Sequence, residues 1–94
     1  MELKFKPRFW KDIQKVKNDR EIMSALYRAF NKVERASTSG EINNLKHLEK
    51  FDSRYRIKIF LDKKRDFRIG INIHRKTVWF ARFLHRMKIY DENW

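Results

Sequence analysis

From residue 54 to residue 73 the chain places an apolar side chain at every second position. Tyr55, Ile57, Ile59 and Leu61 alternate with Arg54, Arg56, Lys58 and Phe60. After the charged turn Asp62-Lys63-Lys64-Arg65-Asp66, Phe67, Ile69, Ile71 and Ile73 alternate with Arg68, Gly70, Asn72 and His74. A period of two marks strands with one face buried and one face open. Two such strands joined by a short turn predict an antiparallel pair whose apolar row needs a cover from elsewhere in the chain. Beyond the Arg75-Lys76 turn, Thr77–Leu84 is apolar on both faces, as suits a strand in the middle of a sheet.

The cover comes from the first third of the chain. Phe9, Ile13 and Val16 fall at helical spacing and, with Trp10 widening the stripe, predict a helix over 8–17 opened by Pro7. Ile22, Leu26, Ala29 and Val33, with Phe30 beside them, predict a second helix over 20–36. Its cap is Asn18 or Asp19, with Glu21 in capping-box position to Asn18. Leu3 and Phe5 alternate with Glu2, Lys4 and Lys6, a short first strand ended by Pro7, and Leu45–Leu48 reads as another short strand after the polar loop 36–41. The expected architecture is a single α+β domain over 1–94. Two N-terminal helices pack on one face of a small, mostly antiparallel sheet in the order β-α-α-β-β-β, with the Leu45–Leu48 piece ahead of the last three strands.

Composition narrows the chemistry. The absence of cysteine excludes disulfide scaffolds, thiolate metal sites and thiol nucleophiles, and two glycines with one proline exclude a Gly-rich phosphate loop. No apolar leader and no stretch of 18 apolar residues appear, so an intracellular, cytoplasmic protein without a membrane span is expected. His47, His74 and His85 are too far apart for a local ligand pair, and carboxylates such as Glu49 and Asp52 are scattered, so neither metal nor cofactor is expected. What remains is charge. Against 12 Asp and Glu stand 24 Lys and Arg, a net +12 that favours polyanionic partners.

Residues 54–86 hold eleven of those cations against Asp62 and Asp66 alone, a net +9. If the apolar row of each strand faces the helices, Arg54, Arg56, Lys58 and Arg68 share the open face with Asn72 and His74. That face is a plausible cradle for a phosphate backbone, and equally an ordinary solvated side of a sheet. Repulsion within it leads to the expectation that Arg68→Ala leaves stability unchanged or raises it. Downstream, His85 and Tyr90 are groups able to move protons and Arg86 can hold negative charge between them. Such a set suits metal-independent RNA cleavage, although a single histidine in this position is more often a surface residue.

Taken in order, Leu45-Lys46-His47-Leu48, Arg54-Tyr55-Arg56-Ile57-Lys58, Phe67-Arg68-Ile69 and His85-Arg86 followed by Ile89-Tyr90 resemble the signature of the RelE/ParE superfamily of bacterial toxin–antitoxin toxins. The resemblance runs over nearly the whole chain. Two details depart from the pattern: Lys64-Arg65-Asp66-Phe67 replaces the usual Gly-Asp before the Arg68 strand, and Lys50 replaces a glycine. The resemblance implies a RelE-like fold and a ribosome-dependent mRNA interferase, cleaving message by attack of a 2′-hydroxyl and restrained by a cognate antitoxin that is acidic where it docks. Carried over residue by residue, it implies catalytic roles for Arg56, Arg68, His85, Arg86 and Tyr90, and RNA contacts for Lys46, His47, Arg54 and Lys58. It leaves the general base unassigned. A ParE-like gyrase inhibitor of the same fold and a non-catalytic RNA- or ribosome-binding module are the alternatives.

Overall fold

Glu2–Phe5 forms β1, Pro7–Gln14 forms α1 and Arg20–Arg35 forms α2, followed by a single 3₁₀ turn at Ser39–Glu41. Four strands complete the chain: β2 (Leu45–His47), β3 (Arg54–Phe60), β4 (Asp66–His74) and β5 (Thr77–His85). The computed structural model describes residues 1–48, 50, 53–90 and 94; Glu49 and Asp52 therefore lie outside the described residues. The five strands form one sheet in the order β1-β5-β4-β3-β2, antiparallel throughout except for β1, which runs parallel to β5. The α+β architecture is as the alternation predicts, with the short β2 making the order β-α-α-β-β-β-β.

Helix boundaries follow the caps. Asp19 rather than Asn18 caps α2, its extended backbone freeing the carboxylate to accept the Ile22 N–H at 3.1 Å. α1 ends at Gln14, short of 17, and the chain reaches the Asp19 cap through a succession of turns (Val16 N–H to Ile13 O, Asp19 N–H to Val16 O). Glu21 serves a different purpose from the one its spacing suggests. With Asp19 and Asp62 it surrounds Arg65, at 3.2, 3.2 and 2.6 Å, and so ties the β3–β4 turn to the start of α2. In the loop, Glu41 accepts the N–H groups of Ser37 and Thr38 at 2.6 and 3.0 Å, ordering a segment that composition alone reads as irregular.

The helices and the apolar rows of the strands meet in one core. Ile57, Ile59, Ile69, Ile71, Val78, Phe80 and Phe83 are buried against Phe9, Ile13, Ile22, Leu26, Ala29 and Val33. Phe80 is at its centre, with ring centroids 5.1 Å from Phe5, 5.6 Å from Phe9 and 5.0 Å from Phe30. β5 keeps this row only because of a bulge. Gly70 pairs with Arg82 and Ile71 with Phe80, leaving Ala81 as an extra residue that shifts the parity of the strand. Phe80 and Phe83 thereby both face the helices although three positions separate them, which explains why the sequence of β5 shows no clean alternation.

A buried ion pair fixes α1 beside the sheet. β1 pairs only with Thr77–Phe80, and Asp12 of α1 takes over beyond it, accepting the Phe83 N–H at 2.9 Å. The same carboxylate receives Arg82 Nε at 2.8 Å, and both side chains are about nine-tenths covered. Removing one member of a buried pair strands the other, so Asp12→Ala is expected to cost about 3–5 kcal/mol. Phe80→Ala is expected to cost about 3–5 kcal/mol and Ile71→Ala about 2–5 kcal/mol, as large-to-small changes in a closed core do. Urea unfolding followed by circular dichroism measures all three.

Candidate nucleic-acid interface

Pleat parity decides which polar side chains share the other face of the sheet. The β3–β4 ladder sets Arg54 opposite Asn72, Arg56 opposite Gly70 and Lys58 opposite Arg68, and the β2–β3 ladder sets Lys46 opposite Arg56. Lys46, Arg54, Arg56, Lys58 and Arg68 therefore form one patch on the side away from the helices. From the far edge Lys6 reaches in, its ammonium donating to Asn72 Oδ1 at 2.8 Å. Burial, and then the nearby charge of Arg54, hold the Lys6 pKa below the usual lysine value.

Asp66 anchors this patch. Its carboxylate is buried, lies 2.5 Å from Arg68 Nη1 and 3.4 Å from Arg86 Nε, while its backbone oxygen accepts the Arg86 N–H. Burial alone would raise the Asp66 pKa; the hydrogen bond from Arg68 and the charges of Arg68, Arg86 and Lys58 outweigh it and hold the carboxyl below the ordinary aspartate range. This corrects the picture of Arg68 as an unpartnered, repelling charge. Arg68 is on the open face as the alternation predicts, but it is 9% exposed and paired, so its removal is expected to destabilise the fold.

Among the described residues, Arg56 Nε and Arg68 Nε are buried on this face with no hydrogen-bond acceptor. Arg56 otherwise donates through Nη1 to the backbone oxygen of Asn44 at 3.0 Å. Tyr90 completes the patch. Burial pushes its phenol up, but a hydrogen bond from Arg56 and the charges of Arg56, Arg68 and Lys46 prevail and lower its pKa from the usual tyrosine value. The phenol remains half exposed and accessible from solvent.

The structure thus brings together Lys46, Arg54, Arg56, Lys58, Arg68, Arg86 and Tyr90. Strand pairing sets the two histidines on the opposite pleat side. His47 stands opposite Tyr55 and stacks on that ring at 4.8 Å, on the pleat side of Ile57 rather than of Arg56. His85 stands opposite Phe67, meets its ring edge-on at 6.1 Å, and accepts the Met87 N–H at Nδ1. Parity explains both positions, since each histidine is one residue out of step with the cations beside it. Sequence reasoning missed Lys6, Asp66 and Trp94. Asp66 and Arg68 are two residues apart and so on one face, a signal obscured by assigning Asp66 to the turn, and Lys6 continues the outward row of β1. Trp94, whose ring lies against Gly70 and under the Arg54 guanidinium, left no such trace.

Among the described residues no three His, Cys, Asp or Glu side chains gather as a metal site, and no helix is long and apolar enough to cross a membrane. Two helices on one side of the sheet and a cationic cluster on the other define a small α+β protein with one strongly basic face. No protein-family model matches the chain and no curated protein matches it. Among solved structures, a chain in the crystal structure of the RelB–RelE antitoxin–toxin complex from Methanococcus jannaschii is similar at a TM-score of 0.72 and 25% identity, over 94% of this chain and 95% of that one. The fold is the RelE-like toxin fold.

The Asp66 pairing has a pH signature. A carboxyl with a lowered folded pKa contributes stability that is complete above the unfolded value, about 3.9 for aspartate, and is lost as pH falls through the folded value. The wild-type protein is expected to melt above Asp66→Asn at pH 7, with the gap closing as the pH is taken from about 4 toward 2. Thermal melts of both proteins across that range measure it.

Proposed function

We propose that the chain is the toxin of a toxin–antitoxin pair, an endoribonuclease that cuts messenger RNA on the ribosome without a metal ion. The observation that carries this reading is the pair of buried guanidinium donors, Arg56 Nε and Arg68 Nε, without acceptors among the described residues on a face already crowded with cations. Buried polar groups are ordinarily satisfied, and an anion between these two strands would satisfy them. The likeness to a chain of the RelB–RelE complex supports an antitoxin partner, and the cationic face suits a partner that is acidic where it docks.

In this reading the scissile phosphate sits over Arg56 and Arg68, with Lys46, Lys58 and Arg54 along the flanking backbone and Arg86 at the edge. A base removes the 2′-hydroxyl proton. The 2′-oxygen then bonds to the adjacent phosphorus, the bond from phosphorus to the 5′-oxygen breaks, and that oxygen takes a proton as it leaves, giving a 2′,3′-cyclic phosphate and a 5′-hydroxyl. Arg56 and Arg68 hold the charge that builds on the five-coordinate phosphorus. Tyr90, with its lowered pKa and its hydrogen bond from Arg56, is the proton-transfer group closest to that chemistry. The reaction takes place in the cytoplasm, where translated messages are.

Inducible expression tests the proposal. Arrest of growth with cleaved messages is expected. Tyr90→Phe and Arg56→Ala should each lower the cleavage rate by about 10²–10³-fold, the loss typical of one proton-transfer or charge-stabilising group. His85→Ala should cost far less, because its ring packs on Phe67 away from the cations. Arrest with broken DNA and intact messages would replace this reading with gyrase inhibition, and no arrest would leave a binding module.

A further inference from the structure

Gly70 lies in the middle of the cationic face, opposite Arg56 on β3. A Cβ built at this position would stand 2.7, 2.9 and 3.0 Å from three atoms of the Trp94 indole, and these are its three nearest neighbours. The indole therefore occupies the space that a side chain would fill, pressed against the bare backbone of β4. The Arg54 guanidinium lies over the ring, 5.0 Å from its centroid. The polar edge of the ring is held loosely, with Nε1–H to Ile89 O at 3.4 Å, and the residue is only partly buried. A flat aromatic ring thus sits in a slot with a glycine floor and an arginine wall, directly across from Arg56, whose Nε, like that of Arg68, has no acceptor among the described residues.

We propose that this slot is a nucleobase-binding subsite of the cationic face and that Trp94 occupies it in competition with RNA. The chemistry of the slot is that of single-strand recognition: a π-face meets a guanidinium plane on one side, with cations alongside for the adjoining phosphate. The glycine matters because any larger residue would lift a base off the strand. Trp94 acts as a stand-in. While its ring lies on Gly70 no base can, so the apparent affinity for RNA is reduced by the fraction of molecules in which the slot is filled. The inference rests on the reading of this face as an RNA site and adds a base contact to what would otherwise be a phosphate-only interface.

The experiment uses the full chain and a fluorescein-labelled single-stranded RNA decamer carrying 2′-O-methyl riboses, which cannot undergo 2′-hydroxyl attack. Fluorescence anisotropy is compared with that of an abasic ribose-phosphate chain of the same length. Trp94→Ala is expected to tighten binding of the decamer by about 3–10-fold, as removal of an internal competitor does, and to leave binding of the abasic chain unchanged. Adding Gly70→Ala to Trp94→Ala, in a double variant whose thermal melt matches that of Trp94→Ala, is expected to abolish the gain. Equal tightening of both probes would mean that Trp94 merely covers charge, and weakened decamer binding would mean that Trp94 is itself a stacking platform; either overturns the proposal. Decamer binding that Trp94→Ala leaves unchanged overturns the slot while keeping the RNA face. No binding of either probe by any of these proteins overturns the RNA reading along with it.

Discussion

The pleat of two adjacent strands ties the core of this protein to its surface. Along β3 and β4 each residue that turns toward the helices forces the next toward solvent, so Ile57, Ile59, Ile69 and Ile71 cannot be buried without lining up Arg54, Arg56, Lys58 and Arg68 on the opposite side. A one-residue slip of either strand would exchange the two rows and put guanidinium groups into the core. Burial of the isoleucines thus holds the cations in register, at no separate cost in local structure. The same coupling makes the face precise, because its spacing is inherited from a ladder of backbone hydrogen bonds rather than from loops.

Concentrating positive charge in this way opposes folding, and among the described residues the carboxylate of Asp66 offsets it. Asp66 faces both Arg68 and Arg86 from a buried position, and Lys6 is spent on Asn72 rather than on an acid. Arg56 and Arg68 nevertheless keep a donor each without an acceptor among the described residues. The face is therefore neutralised enough to fold while keeping a net positive charge, the balance expected where function and stability compete for the same residues.

Most of the architecture was legible in the sequence because period, not composition, carries it. The apolar spacing from Ile22 to Val33 gave α2 nearly to the residue, and the alternation through β3 and β4 gave the two faces of the sheet. The end of α1 was missed because the chain reaches the Asp19 cap through turns, while Val16 stays at helical spacing in the sequence. β5 resisted parity because the bulge at Ala81 switches the strand over halfway along. The candidate site divides in the same way. Its strand cations are readable from alternation, whereas His47 and His85 join them through the family resemblance and, for His85, its proton chemistry, although parity sends them to the other side. Trp94 and Asp66 depend on long-range contact or on the start of a strand, where a single residue gives no period to read.

Asp12 has a consequence beyond holding α1 in place. β1 stops short, and the outer edge of β5 past Phe80 would otherwise present free N–H groups beside an apolar strand, the kind of border onto which a strand of another molecule can add. The carboxylate fills the Phe83 N–H and draws a charged helix alongside it. One side chain thus ends the sheet on this side, and it leaves the last strand with a charged, occupied border where a bare one would invite strand addition.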